Sequence, residues 1–213
     1  MSLLVVHATH TESVGVESLR CEVLTLGVGK TAAAAALTER LVAGDAKRTR
    51  PSAVLLIGLC GAYAADLAVG SLCLVANDVL ADEGRADDRG FHDIGSLGFG
   101  SIGPFATEPR RTAQVAAALR APIVAGATVS TCSGTDALSA ALAARTGAAI
   151  ETMEGAAVGL VCARFAVPWI QLRAVSNRTG AAYRATFDAR AALDALRGAA
   201  PRAIAQLAEA DAG

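Results

Sequence analysis

The sequence has little charge and few aromatic side chains, and neither sign of charge is in clear excess. Charged residues make up 18% of the chain and aromatic residues 4%, and 19 basic residues stand against 20 acidic ones. A nucleic-acid-binding surface needs a basic excess, and single-strand binders add aromatic rings for stacking. The composition therefore argues against nucleic acid as a partner. Hydrophobic residues are 53% of the chain, which predicts a compact globule and not a disordered segment.

Long apolar runs and paired cysteines are missing as well. No run approaches the roughly 20 residues that a membrane helix needs, so no membrane association is expected. The opening residues, MSLLVVHATHTE, lack the basic segment of a signal peptide. The five cysteines are scattered and form no C-x-x-C pair, which argues against a disulfide framework and against a zinc site. These absences predict a cytoplasmic protein with reduced thiols.

Short apolar runs alternate with alanine-rich segments along the whole chain. This alternation predicts an α/β sandwich with a mainly parallel sheet, as a single domain over residues 1–213. The predicted strands are 3–6, 21–26, 53–59, 71–81, 123–129 and 169–175. The predicted helices are 31–43, 112–119, 135–145, an apolar helix after residue 154, and 188–209 with a break near Pro201. Residues 82–109 are predicted to form an irregular loop.

Residues 150–180 carry polar groups that are expected to meet at one rim of the sheet. These groups are Glu151 and Glu154 in a predicted turn, and Arg173, Ser176 and Asn177 at the end of a predicted strand. A strand–helix–strand unit returns both groups to the same edge of a parallel sheet. A charge within an apolar strand needs a partner, and Glu12 or Glu154 is the candidate partner of Arg173.

Two local patterns imitate known ligand sites. Residues 27–31, GVGKT, end like a P-loop, but the first glycine of that motif would fall at position 24, which is Leu24. A sharp turn from strand to helix explains these glycines. His7, His10 and Glu12 do not predict a metal site, because the two histidines point to opposite faces of a strand.

Three further side chains have both a chemical and a simpler interpretation. Cys60 and Cys132 have no adjacent base in the sequence, so small buried residues are a better interpretation than thiol nucleophiles. Glu12 follows the first strand and has two interpretations that stay open on these grounds. It is either a base in a cleft or a solvated loop carboxylate.

Five segments in order resemble the superfamily of purine nucleoside phosphorylases and methylthioadenosine/adenosylhomocysteine nucleosidases, and they span nearly the whole chain. They are residues 8–12, 27–30, 58–61, 153–157 and 173–177. Within this superfamily, ETMEGAA at 151–157 and the loop at 90–100 are similar to the futalosine hydrolases, nucleosidases of menaquinone biosynthesis. The resemblance implies a three-layer sandwich with a mainly parallel, mixed central sheet of the nucleoside phosphorylase type. It also implies no cofactor, no metal, and a homo-oligomer in which a neighbour closes the 5′ side of the site.

The resemblance further implies hydrolysis of the N-ribosidic bond of futalosine, which releases hypoxanthine and dehypoxanthinyl futalosine. Glu12 is expected to hold and deprotonate the attacking water, with Arg173 ordering that network. Glu154 is expected to bind the ribose hydroxyls as the sugar becomes cationic, with Met153 packed against the sugar. Asn177 is expected to meet N7 and O6 of the base and to stabilise the leaving group. The other expected substrate contacts are Leu59, Cys60, Gly61, Thr152 and Ser176.

Asn177 distinguishes between the substrates of the superfamily. Adenine-releasing members carry an aspartate at this place, whereas an amide NH2 donates to the N7 and O6 acceptors of a 6-oxopurine. Leu59 stands where adenine-releasing members have a serine, and an apolar residue there argues against a phosphate pocket. Hydrolysis of a 6-oxopurine nucleoside is therefore favoured. The alternatives are a purine nucleoside phosphorylase, a methylthioadenosine/adenosylhomocysteine nucleosidase, and a nucleoside-binding relative without turnover.

Two parts of the expected site have no assigned residue. Thr152 stands where futalosine hydrolases have asparagine, and residues 130–136 lack the aromatic that faces the base in many relatives. Four side chains are candidates, by charge alone, for binding the carboxybenzoyl end of the substrate: Arg85, Arg89, His92 and Arg184.

Overall fold

The computed structural model of the chain describes residues 2–13, 15, 16 and 21–210. Its strands are β1 (Leu3–His7), β2 (Glu22–Thr25), β3 (Ala53–Ala62), β4 (Leu72–Leu80), β5 (Gly84–Asp87), β6 (Gly90–Asp93), β7 (Phe105–Ala106), β8 (Ile123–Thr128), β9 (Ile150–Thr152) and β10 (Trp169–Arg178). Its helices are α1 (Lys30–Lys47), α2 (Pro109–Leu119), α3 (Asp136–Thr146), α4 (Gly155–Phe165), α5 (Tyr183–Thr186) and α6 (Ala189–Ala210). Short 3₁₀ turns at His10–Ser13 and Gly180–Ala182 follow β1 and β10.

One mixed sheet of eight strands organises the fold. Its order is β10-β4-β8-β9-β3-β1-β2, with β7 paired to β4. The pairs β1–β2, β1–β3, β3–β10, β4–β8 and β8–β9 are parallel, and β3–β9, β4–β10 and β4–β7 are antiparallel. The predicted α/β class and mixed, mainly parallel sheet are confirmed. Because β10 pairs with both β3 and β4, the strands β10, β4, β8, β9 and β3 close into a ring that the sequence does not predict.

Two sets of helices pack on opposite faces of the sheet, because successive side chains of a strand alternate between its faces. Leu3 and Val5 of β1 belong to the core that α2 and α6 share with the sheet. Leu4 and Val6 belong to the core that contains α1 and α4. The helix α3 packs separately on the far side of the ring through Leu142. In the part of the chain that the structure describes, no helix is long and apolar enough to cross a membrane.

Two predicted boundaries are wrong because the chain packs differently from its local pattern. The helix α1 does not stop at Gly44, which is buried, but continues until Arg48 adopts a left-handed conformation and caps the Asp45 and Gly44 carbonyls. The predicted turn at Glu151 is the strand β9, because this segment completes the sheet between β3 and β8. Glu151 therefore projects from a strand and does not open a helix.

Two predictions of irregular structure are also wrong. Residues 82–109 contain the hairpin β5–β6, in which Gly84 pairs with Asp93, and the short strand β7. The predicted break at Pro201 is absent, because α6 runs through it from Ala189 to Ala210. Buried residues on both sides of the proline, including Leu196 and Leu207, pack this helix on the sheet. Their burial outweighs the single hydrogen bond that proline removes.

Candidate active site

A cleft of about 200 Å³ opens at the carboxyl ends of β1, β3 and β10, next to the start of α4. Apart from Arg173 and the four charged candidates for the carboxybenzoyl end, all of the predicted site residues line this cleft: Glu12, Leu59, Cys60, Gly61, Thr152, Met153, Glu154, Ser176 and Asn177. Arg173 lies two positions before the bulge in β10 and is buried beneath the floor of the cleft. The sheet topology therefore brings together residues that lie more than a hundred positions apart in the chain.

Glu12 is a buried, fixed carboxylate and not a solvated loop residue. It sits on the 3₁₀ turn after β1 with only 6% of its surface exposed. Its Oε2 accepts hydrogen bonds from the Thr9 backbone N–H at 2.9 Å and the Thr9 hydroxyl at 3.1 Å. Its Oε1 accepts from the Leu59 backbone N–H at 3.0 Å. The contact from position 59 comes from the backbone, so an apolar side chain at that position is compatible with holding Glu12.

Arg173 is a fully buried guanidinium with 1% exposure. Its Nη1 donates to the Leu59 carbonyl at 3.1 Å and lies 3.6 Å from Glu154 Oε2. Of the two predicted partners, Glu154 thus forms the ion pair. Gly58 makes this arrangement possible, since a methyl group there would lie 2.6 Å from Arg173 Nη1 and 2.9 Å from Glu12 Oε1. The Nε and Nη2 groups of Arg173 have no hydrogen-bond acceptor among the described residues.

Glu154 is the N-cap residue of α4, yet its carboxylate does not cap that helix. The Oε1 atom instead accepts a hydrogen bond from the Gly29 backbone N–H at 3.0 Å. Gly27 and Gly29 both have positive φ angles, which glycine adopts without strain. The glycine-rich turn at residues 27–30, which resembles a P-loop, therefore supplies a backbone donor to Glu154. The Lys30 side chain at the end of this turn forms ion pairs with Asp82 and with Glu83, the latter at 2.6 Å.

Asn177 lines the cleft, is buried, and has its amide held in one orientation. Its Oδ1 accepts a hydrogen bond from the Ser176 hydroxyl at 2.7 Å, and its Nδ2 donates to the Arg178 carbonyl at 3.0 Å. Gly61 on the neighbouring strand leaves space for it, since a methyl group there would lie 3.1 Å from Asn177 Nδ2. One lone pair of the amide oxygen is thus used, and the NH2 group has one hydrogen left for a ligand.

Glu151 is a cleft residue that is absent from the predicted site. Its Oε2 accepts a hydrogen bond from the Tyr63 hydroxyl at 2.7 Å, and both oxygens accept from the Ser133 backbone, at 3.0 and 3.2 Å. The Ser133 hydroxyl also donates to Oε2. These bonds tie the segment at 130–136, expected to face the base, to the sheet. The sequence contains the signal, a second carboxylate three residues before Glu154, but not the strand that aims it.

The other cleft residues missing from the predicted site are Ala8, Thr9, Val28, Cys132, Tyr183 and Phe187. Tyr183 and Phe187 are partly exposed at the mouth, and their ring centroids are 5.4 Å apart. No sequence motif marks them, because only the path of the chain after β10 brings them there. Three of the four charged candidates for binding the carboxybenzoyl end of the substrate lie in the β5–β6 hairpin, outside the cleft lining: Arg85, Arg89 and His92. The fourth candidate, Arg184, lies in α5 next to Tyr183.

The thiols near the cleft are poor nucleophiles. A hydrogen bond with Cys73, together with burial, raises the pKa of Cys60 well above its ordinary value. Burial, with the negative charges of Glu151 and Glu154, raises the pKa of Cys132. Both thiols are therefore protonated near neutral pH, which agrees with their predicted non-catalytic interpretation. Only Cys60 is the buried residue that the sequence predicts; for Cys132 that prediction is wrong, because the residue is exposed in the cleft lining. Within residues 2–13, 15, 16 and 21–210, no group of His, Cys, Asp or Glu side chains is arranged to hold a metal ion.

Comparison with known proteins places these features in a family. Residues 7–210 match the family model of the Phosphorylase superfamily. The chain is 34% identical over 186 residues to a futalosine hydrolase of Thermus thermophilus, covering 86% of this chain and 80% of that protein. It is 36% identical over 179 residues to a futalosine hydrolase of Streptomyces coelicolor, covering 82% and 74%. A mutant futalosine hydrolase of Helicobacter pylori has the same fold, with a TM-score of 0.83 at 19% identity over 98% of this chain and 99% of that chain.

The close packing at Gly58 gives a prediction about stability. Gly58→Ala is expected to lower the free energy of unfolding by about 1–3 kcal/mol, because the added methyl group displaces buried charged groups that cannot reach water. Urea unfolding followed by circular dichroism measures this change. Gly198→Ala, at an exposed helix position with open space around it, is the control and is expected to stabilise by about 0.5–1 kcal/mol. Equal stability of Gly58→Ala and the wild type would contradict the packing described here.

Proposed function

Because this chain belongs to the Phosphorylase superfamily, we propose that its cleft hydrolyses the N-ribosidic bond of futalosine to hypoxanthine and dehypoxanthinyl futalosine, a step of menaquinone biosynthesis. The observation that carries this proposal is the fixed amide of Asn177 in the lining of the cleft. Similarity to two futalosine hydrolases over most of the chain supports the same substrate.

The base is selected by the hydrogen-bonding pattern of Asn177. A 6-oxopurine presents acceptors at N7 and O6, whereas the 6-amino group of adenine is a donor. Asn177 Oδ1 already accepts from Ser176, so the amide offers its remaining N–H to the base. This N–H pairs with a 6-oxopurine and stabilises negative charge on the departing base. N7 is an acceptor in both kinds of base, so the choice depends on position 6: a 6-aminopurine would place its amino group, a donor, opposite the amide N–H.

The attacking water is held by Glu12. Its carboxylate is buried and fixed by donors from Thr9 and Leu59, so it is positioned to accept a proton from a water molecule in the cleft. Arg173 lies beneath, with donors on Nε and Nη2 that have no acceptor among the described side chains and backbone. Because Arg173 does not line the cleft, it acts on the water network through the groups that it contacts, the Leu59 carbonyl and Glu154. Glu12 is the catalytic base of this mechanism.

The ribose is held by Glu154 and Met153. Glu154 is fixed by Gly29 and Arg173 and can accept hydrogen bonds from the sugar hydroxyls. The sugar becomes positively charged as the bond to the base breaks, as in glycoside hydrolysis. A carboxylate beside it therefore interacts more strongly with the transition state than with the substrate. Met153 lines the same part of the cleft and packs against the sugar ring.

Hydrolysis is favoured over phosphorolysis by the charge of the cleft. Glu12, Glu151 and Glu154 all line it, and no lysine or arginine is among the lining residues that the structure describes. A phosphate anion would be repelled by these carboxylates. Lys30, the nearest candidate cation of the glycine-rich turn, is already paired with Asp82 and Glu83. Water, which is neutral, meets no such barrier.

The 5′ end of the substrate is directed toward the mouth of the cleft. The partly exposed rings of Tyr183 and Phe187 provide an aromatic surface there, next to Arg184. A homo-oligomer in which a neighbouring subunit covers this mouth agrees with their exposure. The apolar mouth suits an aromatic 5′ substituent better than a free hydroxyl.

The substrate assignment predicts a specific pattern of product release. Purified protein is incubated with futalosine, inosine and methylthioadenosine, each with and without phosphate, and free base is measured by chromatography. Hypoxanthine is expected from futalosine in the absence of phosphate, and no adenine from methylthioadenosine. Release of adenine would favour a methylthioadenosine nucleosidase, and release from inosine only with phosphate would favour a phosphorylase.

The role of Glu12 predicts the behaviour of one isosteric variant. Glu12→Gln keeps the size of the side chain but removes the base, so kcat is expected to fall about 10²- to 10⁴-fold, the range that general-base catalysis contributes. Steady-state kinetics with futalosine measures this loss. The control is Glu39→Gln, on the exposed face of α1, which is expected to keep wild-type kcat. A Glu12→Gln enzyme with near-normal kcat would mean that another group activates the water.

A further inference from the structure

The core beneath the cleft contains an aspartate that the mechanism above does not use. Asp78, on β4, is completely buried. Its Oδ1 accepts a hydrogen bond from the Thr128 hydroxyl at 2.8 Å, and its Oδ2 accepts from Gln171 Nε2 at 3.1 Å and from the Thr152 hydroxyl at 3.4 Å. All three donors are neutral side chains from different strands. Moving a carboxylate from water into the core costs free energy, so its presence there needs a structural or functional reason.

The two threonines that bind Asp78 also cap the start of α4. The Thr128 hydroxyl oxygen accepts a hydrogen bond from the Ala156 N–H at 2.7 Å. The Thr152 hydroxyl oxygen accepts from the Gly155 N–H at 3.4 Å and lies 2.9 Å from the Thr128 hydroxyl. A hydroxyl has one hydrogen, so giving it to Asp78 leaves the oxygen of Thr128 to face the helix as an acceptor. Asp78 thus orients the Thr128 hydroxyl so that its oxygen can accept a hydrogen bond from the first turn of α4.

This capping from outside the helix leaves Glu154 free. An N-cap side chain with an acidic oxygen normally bonds to the N–H groups of its own first turn. Glu154 makes no such bond, and its carboxylate points instead to Gly29 and Arg173 in the cleft. Gly155 is essential to the arrangement, because a methyl group there would lie 2.0 Å from Asp78 Oδ2.

The ionisation of Asp78 is compatible with this role. Burial raises its pKa to about 6, opposed by the hydrogen bonds from Thr128 and Gln171 and by the charge of Arg173. At neutral pH the carboxylate is therefore mostly ionised and accepts all three hydrogen bonds. Its negative charge also lies near the start of α4, where the helix dipole favours an anion.

We propose that Asp78 is a positioning residue, which acts through Thr128 and Thr152 to cap α4 and so keeps the Glu154 carboxylate directed into the cleft. The proposal rests on the proposed function for the part that Glu154 plays at the ribose. Asp78 does not touch the substrate. It acts on catalysis only by deciding whether Glu154 bonds to the cleft or to its own helix.

The kinetic test compares Asp78→Asn and Thr128→Val, each alone and in a Glu154→Gln background. We expect each single variant to lower kcat/KM for futalosine at least tenfold, and the same change to cost less than threefold when added to Glu154→Gln. The loss is expected to be smaller in the Glu154→Gln background, because Asp78 and Thr128 act through the Glu154 carboxylate, which that background no longer has. A full tenfold loss on top of Glu154→Gln, or no loss in the single variants, would overturn the proposal.

Two matched controls separate positioning from a general loss of stability. Thr128→Ser keeps the hydroxyl and is expected to keep wild-type kcat/KM, and a loss as large as that of Thr128→Val would count against the cap. Asp66→Asn makes the same chemical change at an exposed site and is expected to have no effect. Melting temperatures identify the variants that are folded at the assay temperature.

A crystal structure of Thr128→Val distinguishes this proposal from the proposed function, and the Asp78→Asn crystal replaces it if the valine variant does not fold. In either variant the Glu154 carboxylate is expected to leave the Gly29 N–H and turn toward the first-turn N–H groups of α4. A Glu154 that keeps its bond to Gly29 would overturn the positioning role. This readout does not depend on the substrate, so a wild-type protein that fails to cleave futalosine would refute only the proposed function.

Discussion

A single buried charge, the guanidinium of Arg173 in the middle of β10, constrains much of the surrounding structure. An isolated charge in a protein core costs several kcal/mol, so a neighbouring group must neutralise it. Glu154 supplies the opposite charge, and the Leu59 carbonyl supplies an acceptor. The buried guanidinium also requires glycine at position 58, because any side chain there would occupy the space of the guanidinium. The same contacts hold the floor of the cleft in place.

Keeping Glu154 at Arg173 has a consequence for α4. A carboxylate committed to the cleft cannot cap the helix that it precedes, so Thr128 and Thr152 provide the cap from the sheet. Asp78 lies behind both threonines. The two threonines thus link the buried Asp78 to the start of α4. Together with Gln171 they supply three neutral donors around one buried anion.

Much of the site is predictable from local sequence because its key residues sit at the ends of apolar strands. Glu12 follows β1, and Ser176 and Asn177 end β10, so the rule that parallel strands meet at their carboxyl ends places them together. The pairing of Arg173 with Glu154, and not with Glu12, is not predictable, because both carboxylates are brought near β10 only by the folded sheet.

The residues that sequence patterns miss depend on pairings between distant segments. Glu151 is predicted to lie in a turn because the pairing of β9 with β3 and β8 is not visible in the local sequence, and Tyr183 reaches the cleft only through the path after β10. Asp78 is one of two adjacent polar residues, with Asn77, in an otherwise apolar strand, and its partners come from β8, β9 and β10. Pro201 is misleading for a similar reason, since burial along α6 overrides a local helix breaker.

The central claim, that this cleft directs water and not phosphate to the sugar, is tested most directly by isotope labelling. The reaction is run with futalosine in H₂¹⁸O containing phosphate, and the sugar product is analysed by mass spectrometry. Attack by a water held at Glu12 predicts one ¹⁸O atom in the dehypoxanthinyl product, at the carbon that carried the base. A sugar phosphate as the product would contradict the account, because it would show that the carboxylate-lined cleft admits the anion.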